Sequence, residues 1–227
     1  MSNPFDLLAT LAYPLVSALT WLTEPVFGTA AAAAAIVLGT LVVRLLLVPA
    51  GYAQHRADLR RADVLQRIAA ISARHQGDKP RQQSELAAIY RSEGGGLLRG
   101  FLPMLVQLPI VAGLYRLFSS STIQGHANTL LHHTLFGVPL GTHLFAADGP
   151  QLIVFAVLLV LLAGLGFASS RLLRPRGAQP TGAAAVLARV VPYAPMATLL
   201  FLPLAASLYV VTSSAWMLVQ TLVLRGR

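Results

Sequence analysis

Long apolar runs alternate with short polar segments along this chain, and the runs have the length of membrane-spanning helices. A helix needs about 20 consecutive apolar residues to cross the hydrocarbon core of a bilayer. The apolar pattern predicts spans at residues 29–50, 98–118, 151–170, 184–203 and 204–224. The sequence therefore predicts an all-α integral membrane protein with five transmembrane helices.

The N-terminal segment has a different pattern. Residues 5–23 place leucines at helical spacing, with polar residues elsewhere on the helical wheel. This pattern predicts a short amphipathic helix lying on the outer membrane face, within an extracytoplasmic segment that covers residues 1–28. A partial membrane span is the alternative interpretation.

Residues 51–97 predict a helical hairpin on the cytoplasmic side. An apolar stripe of helical period ends at the breaking sequence of residues 77–80, and a second, shorter arm follows it. We expect the three glycines of residues 94–96 to form a hinge between this hairpin and the next span. The remaining segments are an outer loop, a cytoplasmic loop and a cytoplasmic tail, at residues 119–150, 171–183 and 225–227.

The composition excludes a typical soluble domain, since 56% of the residues are hydrophobic and only 11% are charged. Fifteen of the 17 Lys and Arg residues lie in residues 51–99, 171–189 and 225–227. By the positive-inside rule these segments are cytoplasmic, which puts the N-terminus outside and the C-terminus inside. The predicted location is a bacterial plasma membrane.

Arg44 is the most informative residue, because it lies alone in the apolar run of residues 29–49. A guanidinium at the centre of a membrane costs at least about 2.5–3.5 kcal/mol, so it needs water, a partner or access to the headgroups. Thr40 lies one helical turn earlier on the same face. Two interpretations stay open: Arg44 reaches the headgroups near Pro49, or it lines a water-filled pocket.

Further polar residues in the spans are candidates for lining such a pocket. In the last span, polar and aromatic side chains fall at i, i+4, i+7 and i+11, namely Tyr209, Ser213, Trp216 and Gln220. Thr212 is adjacent on the helical wheel, and Gln107 lies between two prolines of the second span. The alternative for each is an interhelical hydrogen bond, worth about 0.6 kcal/mol.

The sequence predicts no enzyme, no cofactor and no metal site. The chain has no cysteine, and the four histidines of the outer loop have no recognised ligand spacing. The motifs of zinc proteases and of serine hydrolases are also absent, as is a phosphate-binding loop.

The order of three motifs resembles the YidC/Oxa/Alb family of membrane protein insertases. Residues 40–49 read TLVVRLLLVP, residues 101–117 read FLPMLVQLPIVAGLYRL, and residues 202–209 read LPLAASLY. A charged hairpin stands between the first two motifs, as in the family. The resemblance covers about residues 29–224, and it departs from the family pattern at Val210, where an aromatic residue is common.

The resemblance implies five helices around a hydrophilic groove that is open to the cytoplasm and to lipid. By the resemblance, Arg44 is the groove arginine, Thr40 is its neighbour and Tyr209 lines the opposite wall. Together with the polar candidates above, the predicted groove residues are Arg44, Thr40, Gln107, Tyr209, Thr212, Ser213 and Gln220. The implied function is insertion and chaperoning of nascent membrane proteins, without ATP, in contact with the lipid bilayer. The Sec translocon and the translating ribosome are further candidate partners.

Two other function classes remain open from the residues alone. A small anion channel or transporter would use Arg44 to bind a solute, although the chain shows no internal repeat of the kind common in transporters. An accessory subunit of a larger membrane complex would need no pocket at Arg44.

Overall fold

The computed structural model describes residues 4–75, 77–99, 102–123, 125–172, 185–186 and 189–225. In these residues the helices are α1 Pro4–Phe27, α2 Ala31–Leu46, α3 Val48–Arg74, α4 Lys79–Arg99, α5 Leu102–Ser119, α6 Gln151–Leu172, α7 Ala194–Thr198 and α8 Leu204–Arg225. The strands, two residues each, are β1 Thr122–Ile123, β2 His126–Ala127, β3 Thr134–Leu135 and β4 Val138–Pro139. The chain forms two compact units, of which the second is Leu47–Val106 and the first is the rest.

Three segments of the described residues are long and apolar enough to cross a bilayer: Asp6–Leu46, Gln151–Leu172 and Leu204–Arg225. A shorter apolar helix covers Leu108–Ser119. The chain is thus a mostly helical membrane protein. The predicted span 184–203 lies partly outside the described residues, and its described part contains a 3₁₀ turn, Val191–Tyr193, followed by α7. Prolines in this segment interrupt a regular helix, because a proline lacks the N–H donor.

The first apolar segment folds back on itself and is not one straight helix. Leu19 lies against Gly39, and the Thr23 hydroxyl donates to the Ala31 carbonyl at 2.9 Å, so α1 and α2 are antiparallel neighbours. The reversal occurs at Gly28, whose φ of +51° is accessible to glycine at little cost. Helix α1 includes the predicted residues 5–23 and extends beyond them.

Proline sets the boundary between α2 and α3. Helix α2 ends at Leu46, four residues before the end predicted for the first span, and α3 begins at Val48 with Pro49 in its first turn. A proline inside a helix clashes with the carbonyl four residues earlier, whereas the first turn has no such partner. The first arm of the hairpin therefore begins earlier in the sequence than predicted.

The structure corrects the expected hinge at residues 94–96. Helix α4 runs without interruption through these glycines to Arg99. Each glycine lowers helix stability by about 1 kcal/mol relative to alanine, but it keeps its backbone donor and acceptor. Glycine therefore weakens this helix without ending it.

The second unit is a helical hairpin built from α3 and α4, which pack against each other. Val64 is buried, whereas Ile68, Ile71, Leu86 and Ile89 are partly buried. His75 Nε2 lies 3.4 Å from Glu85 Oε1, which joins the two arms near the turn.

The loop between α5 and α6, residues 120–150, forms two small antiparallel hairpins, β1–β2 and β3–β4. Asn128 is buried, and its side-chain amide donates to the Leu117 carbonyl at 2.6 Å and to the Ser120 carbonyl at 3.0 Å. These bonds satisfy carbonyls at the C-terminal end of α5, which have no partner within the helix. The loop is therefore fixed to the end of α5.

The same loop caps the N-terminus of α8. The backbone N–H groups of Leu204 and Ala205 donate to the carbonyls of Thr142 and Leu140, each at 2.9 Å. Between these two acceptors, a Cβ atom at Gly141 would lie 2.6 Å from the Phe118 carbonyl oxygen. Glycine at this position thus permits a close approach of the loop to α5.

Helices α6 and α8 pack against each other, and their C-terminal ends are joined. Arg225 Nη1 donates to the carbonyl of Leu172 at 3.2 Å. The arginine binds one of the carbonyls that the last turn of α6 leaves free, and its positive charge suits the C-terminal end of a helix. The two helices therefore run in the same direction.

Candidate functional site

Helices α2 and α8 pack closely because both bury small residues. The buried side chains of α2 are Ala31, Ala32, Ala33, Ala35, Ile36 and Thr40. Those in the first turns of α8 include Ala205, Ala206 and Ser207. Small side chains allow the backbones of membrane helices to approach each other. We call the polar side chains Thr40, Arg44, Tyr209 and Ser213, which lie along these two helices, the polar seam.

Arg44 and Ser213 form the contact at the centre of the polar seam. Arg44 Nη2 donates a hydrogen bond to Ser213 Oγ across the two helices. Ser213 is 1% exposed, whereas Arg44 is half-buried. The two residues are 169 positions apart in the sequence, so this contact depends on the tertiary fold.

The position of Ser213 helps to decide whether Arg44 reaches the headgroups or lines a polar pocket. At 1.5 Å per residue, Ser213 lies about 13 Å along the axis from the first residue of α8 and about 18 Å from the last. A guanidinium bound there is near the middle of an apolar helix and is not extended towards either end. This geometry favours a polar interior site over headgroup contact.

The charge of Arg44 is not neutralised by a carboxylate among the described residues. Their ion pairs join His75 to Glu85, Arg81 to Asp78 and Arg116 to Asp6. A guanidinium has five N–H donors, and a hydroxyl is a neutral acceptor. One hydroxyl leaves further donors of the half-buried Arg44 without an acceptor among the described residues, and water or an anion can bind them.

The other predicted groove residues do not take part in the hydrogen bond between Arg44 and Ser213. The hydroxyls of Thr40 and Thr212 donate to carbonyls of their own helices, those of Ile36 at 2.6 Å and Leu208 at 2.8 Å. Tyr209 is buried one turn before Ser213.

Gln220 lies two turns further along α8 than Ser213, and its Oε1 accepts from Trp216 Nε1 at 2.9 Å. The Gln107 side chain is outside the described parts of the structure. The role of these two residues as groove residues stays a prediction.

Sequence reasoning missed the partner of Arg116, the second arginine inside an apolar segment. Arg116 Nε donates to Asp6 Oδ1 at 2.5 Å, which links the end of α5 to the first turn of α1. Both side chains are more than 40% exposed. No sequence signal identifies this pair, because Glu24 and Asp148 are equally available acidic residues and Asp6 lies 110 positions before Arg116.

The polar seam has the side chains of an anion-binding site. Its residues supply a cation, hydroxyls and a phenol, but no histidine or carboxylate that would serve as a general base for Ser213. In the part of the chain that the structure describes, no group of three or more His, Asp or Glu side chains is placed to hold a metal ion. The chemistry available is therefore attraction of an anion and hydrogen bonding to it.

Comparison with known proteins gives the chain a family. A family model described as "60Kd inner membrane protein" matches residues 22–227. The membrane protein insertase YidC of Acidiphilium cryptum is 33% identical over 121 residues, which are 53% of this chain and 20% of that protein. The Ralstonia nicotianae insertase is 29% identical over 82% of this chain and 31% of its own length. That of Clostridium perfringens is 32% identical over 40% of this chain and 38% of its own length.

These alignments span between about a fifth and two fifths of the relatives' own lengths. The family model, in contrast, covers nearly the whole chain, including all four residues of the polar seam. The chain therefore belongs to the 60Kd inner membrane protein family, the YidC/Oxa/Alb family indicated by the motifs at residues 40–49, 101–117 and 202–209.

Proposed function

We propose that this chain is a membrane protein insertase and chaperone, and that the polar seam between α2 and α8 receives the polar segment of its substrate. The observation that carries the proposal is Arg44, a permanently charged side chain that meets a hydroxyl and no described carboxylate near the middle of α8. The relatives named above are membrane protein insertases, which supports the same function.

The mechanism follows from the incomplete pairing of Arg44. An acidic segment that precedes a substrate's apolar stretch is drawn to the guanidinium, because attraction between opposite charges is strong where little water screens it. The carboxylate replaces the Ser213 hydroxyl as the acceptor, since it adds the attraction of opposite charges and its two oxygens can accept from two guanidinium N–H groups at once. The apolar stretch then enters the lipid and draws the polar segment across.

Apolar transfer supplies the free energy of insertion. Burying apolar surface gives about 25 cal/mol per Å², so a stretch of about 20 apolar residues provides enough free energy without ATP. The protein then acts by lowering the cost of moving the polar segment. Nascent membrane proteins and the lipid bilayer are its partners in this mechanism, and the Sec translocon and the ribosome are further candidates.

The proposed topology has five crossings, with the N-terminus outside and the C-terminus in the cytoplasm. Helices α6 and α8 run in the same direction, so the chain between Leu172 and Leu204 must return across the bilayer if both helices span it. Counting α2 and α5 as spans gives five, with α1 left out of the count as the predicted extracytoplasmic helix. The basic segments 51–99 and 171–189 are then cytoplasmic, and the groove opens to that side.

Substitution of Arg44 tests the proposed function, and Arg116 is its matched control. Arg44→Ala removes a hydrogen bond to a substrate carboxylate worth about 1.5–3 kcal/mol, so we expect insertion of a substrate with an acidic polar segment to fall by about 10–100-fold. Arg116→Ala removes an exposed ion pair worth under about 1 kcal/mol and should leave insertion close to normal.

The assay measures protease protection of the substrate in cells depleted of their own insertase, at equal levels of each variant in the membrane. A second substrate, with its acidic residues changed to amides, should lose its dependence on Arg44. Equal insertion by the Arg44→Ala variant and the unmodified protein would contradict the proposal and favour an accessory subunit. A solute current that depends on Arg44 would instead favour the channel.

A further inference from the structure

The turn of the β3–β4 hairpin places a phenylalanine ring in open space. Phe136 and Gly137 have φ values of +50° and +80°, so the two residues between the strands are both left-handed, as in a type I′ turn. Asn, Asp or Gly is favoured at such positions, and a bulky residue there is strained. The ring is nevertheless 87% exposed, so few contacts with the described chain offset the strain.

Two more apolar side chains are exposed where the chain turns from α1 to α2. Val26 is 78% exposed and Phe27 is 50% exposed, directly before the Gly28–Ala30 turn. Strand β3 contacts this turn and also α2, so the hairpin and the turn are neighbours. We call Val26, Phe27 and Phe136 the apolar rim.

The apolar rim lies at the level where several apolar helices begin or end. Helix α2 starts directly after the Gly28–Ala30 turn, and the α5–α6 loop that carries Phe136 is bonded to the end of α5 and to the start of α8. The ends of apolar membrane helices lie near the boundary between hydrocarbon and headgroups. The rim is therefore at that depth, whichever side of the membrane it faces.

Charge also distinguishes this loop from a water-exposed one. Residues 119–147 contain no Asp, Glu, Lys or Arg. Aromatic side chains are favoured at the membrane–water boundary, where an apolar ring meets lipid while the backbone stays close to water. A loop with these properties is suited to lying among headgroups.

We propose that the apolar rim is a lipid-binding surface, in which the rings of Phe136 and Phe27 insert between lipid headgroups and anchor the α5–α6 loop to the bilayer. Contact with lipid offsets the strained backbone of Phe136, which the chain's own packing does not. The α5–α6 loop is then held by lipid as well as by α5 and α8.

Tryptophan fluorescence in vesicles tests this surface. The two native tryptophans are replaced in the full chain (Trp21→Phe and Trp216→Phe), and Phe136→Trp or Phe27→Trp supplies a single reporter. The protein is reconstituted into phosphatidylcholine–phosphatidylglycerol vesicles, with or without bromine atoms on the acyl chains. Acrylamide in the buffer measures exposure to water.

Two further tryptophan reporters serve as references for full exposure to lipid and full exposure to water. Val160→Trp lies on an exposed face in the middle of α6 and reports lipid, whereas Gln83→Trp lies on the exposed polar surface of α4 and reports water. We expect brominated lipid to remove most of the fluorescence of the reporter at position 136, and acrylamide to have little effect on it, as at position 160.

A reporter at position 136 that behaves like the one at position 83 would overturn the proposal. If the reporter is exposed to water in pure lipid but shielded in native membranes, a protein partner covers the rim and the lipid proposal is wrong. Should Phe136→Trp fail to fold, the Phe27→Trp reporter decides by the same criterion.

Discussion

At the residue scale, the hydrogen bond from Arg44 to Ser213 gives the clearest prediction. Ser213→Ala removes the acceptor that Arg44 has across the interface, whereas Ser214→Ala removes a hydroxyl that donates to Val210 of its own helix. Hydrogen bonds to charged groups contribute about 1.5–3 kcal/mol, so we expect that loss of unfolding free energy for Ser213→Ala and a smaller one for Ser214→Ala.

A double-mutant cycle separates this hydrogen bond from other effects of the substitutions. Unfolding is measured in mixed detergent micelles for Arg44→Ala, Ser213→Ala and the double variant, and the same cycle is made with Ser214. Residues in direct contact couple by about 0.5–3 kcal/mol, whereas pairs without a shared contact add. Additive effects for Arg44 and Ser213 would show that their contact does not stabilise the protein.

Residue-scale features differ in how well the sequence predicts them. Arg44 was identifiable because an arginine in an apolar run must be solvated or paired, a requirement that holds before any fold is known. Its contact with Ser213 was not identifiable, since the periodicity of α8 indicates which residues share a polar face but not which helix packs against that face. The Asp6–Arg116 pair left no trace, because an exposed ion pair imposes no pattern on the residues around it.

At the scale of elements, two glycines of α6 have opposite environments. A Cβ atom at Gly166 would lie 2.8 Å from a ring carbon of Tyr193 and 2.9 Å from the Pro192 carbonyl oxygen, whereas one at Gly164 would have no neighbour within 4 Å. Overpacking typically costs about 1–3 kcal/mol, and alanine in a helix gains up to about 1 kcal/mol over glycine.

We therefore expect Gly166→Ala to destabilise the protein and Gly164→Ala to leave its stability unchanged or higher. The measurement is the midpoint of thermal unfolding in detergent, with the helix content of each folded variant as a control for local effects. A lower midpoint for both variants would mean that glycine serves the flexibility of α6. Equal midpoints for both would mean that the 191–193 segment moves away from α6 readily.

Prolines account both for a helix boundary that the sequence indicates and for an interrupted segment that was not predicted. The start of α3 follows from Pro49, since a proline favours the first turn of a helix. The interruptions at Pro192 and Pro195 escaped prediction because the same segment is apolar enough to be a span. The glycines at 94–96 suggested a break that α4 does not have, because propensity is weaker than backbone hydrogen bonding within a continuous helix.

At the scale of the whole molecule, the proposed groove is open to the cytoplasm and closed at the other end, and the α5–α6 loop is the segment that would close it. The α5–α6 loop bonds to the end of α5 and to the start of α8, and its own residues Leu130, Val138 and Leu140 are buried. If the loop closes this end, as the proposed groove requires, water reaches the polar seam from the other end or from the side facing lipid. This asymmetry makes a directional prediction about access to Arg44.

The chain has no cysteine, so a single cysteine at position 44 reports that access without a competing thiol. Leu46→Cys is the matched control, because Leu46 lies two residues later on an exposed, apolar part of α2 and should face lipid. A charged thiol reagent is added to intact cells or to inverted membrane vesicles. We expect it to modify position 44 only from the cytoplasmic side and to leave position 46 unmodified, since thiolates react only where water reaches them.

Modification from both sides would indicate a channel, and protection of both positions would place the Arg44 site away from water and contradict the proposed groove.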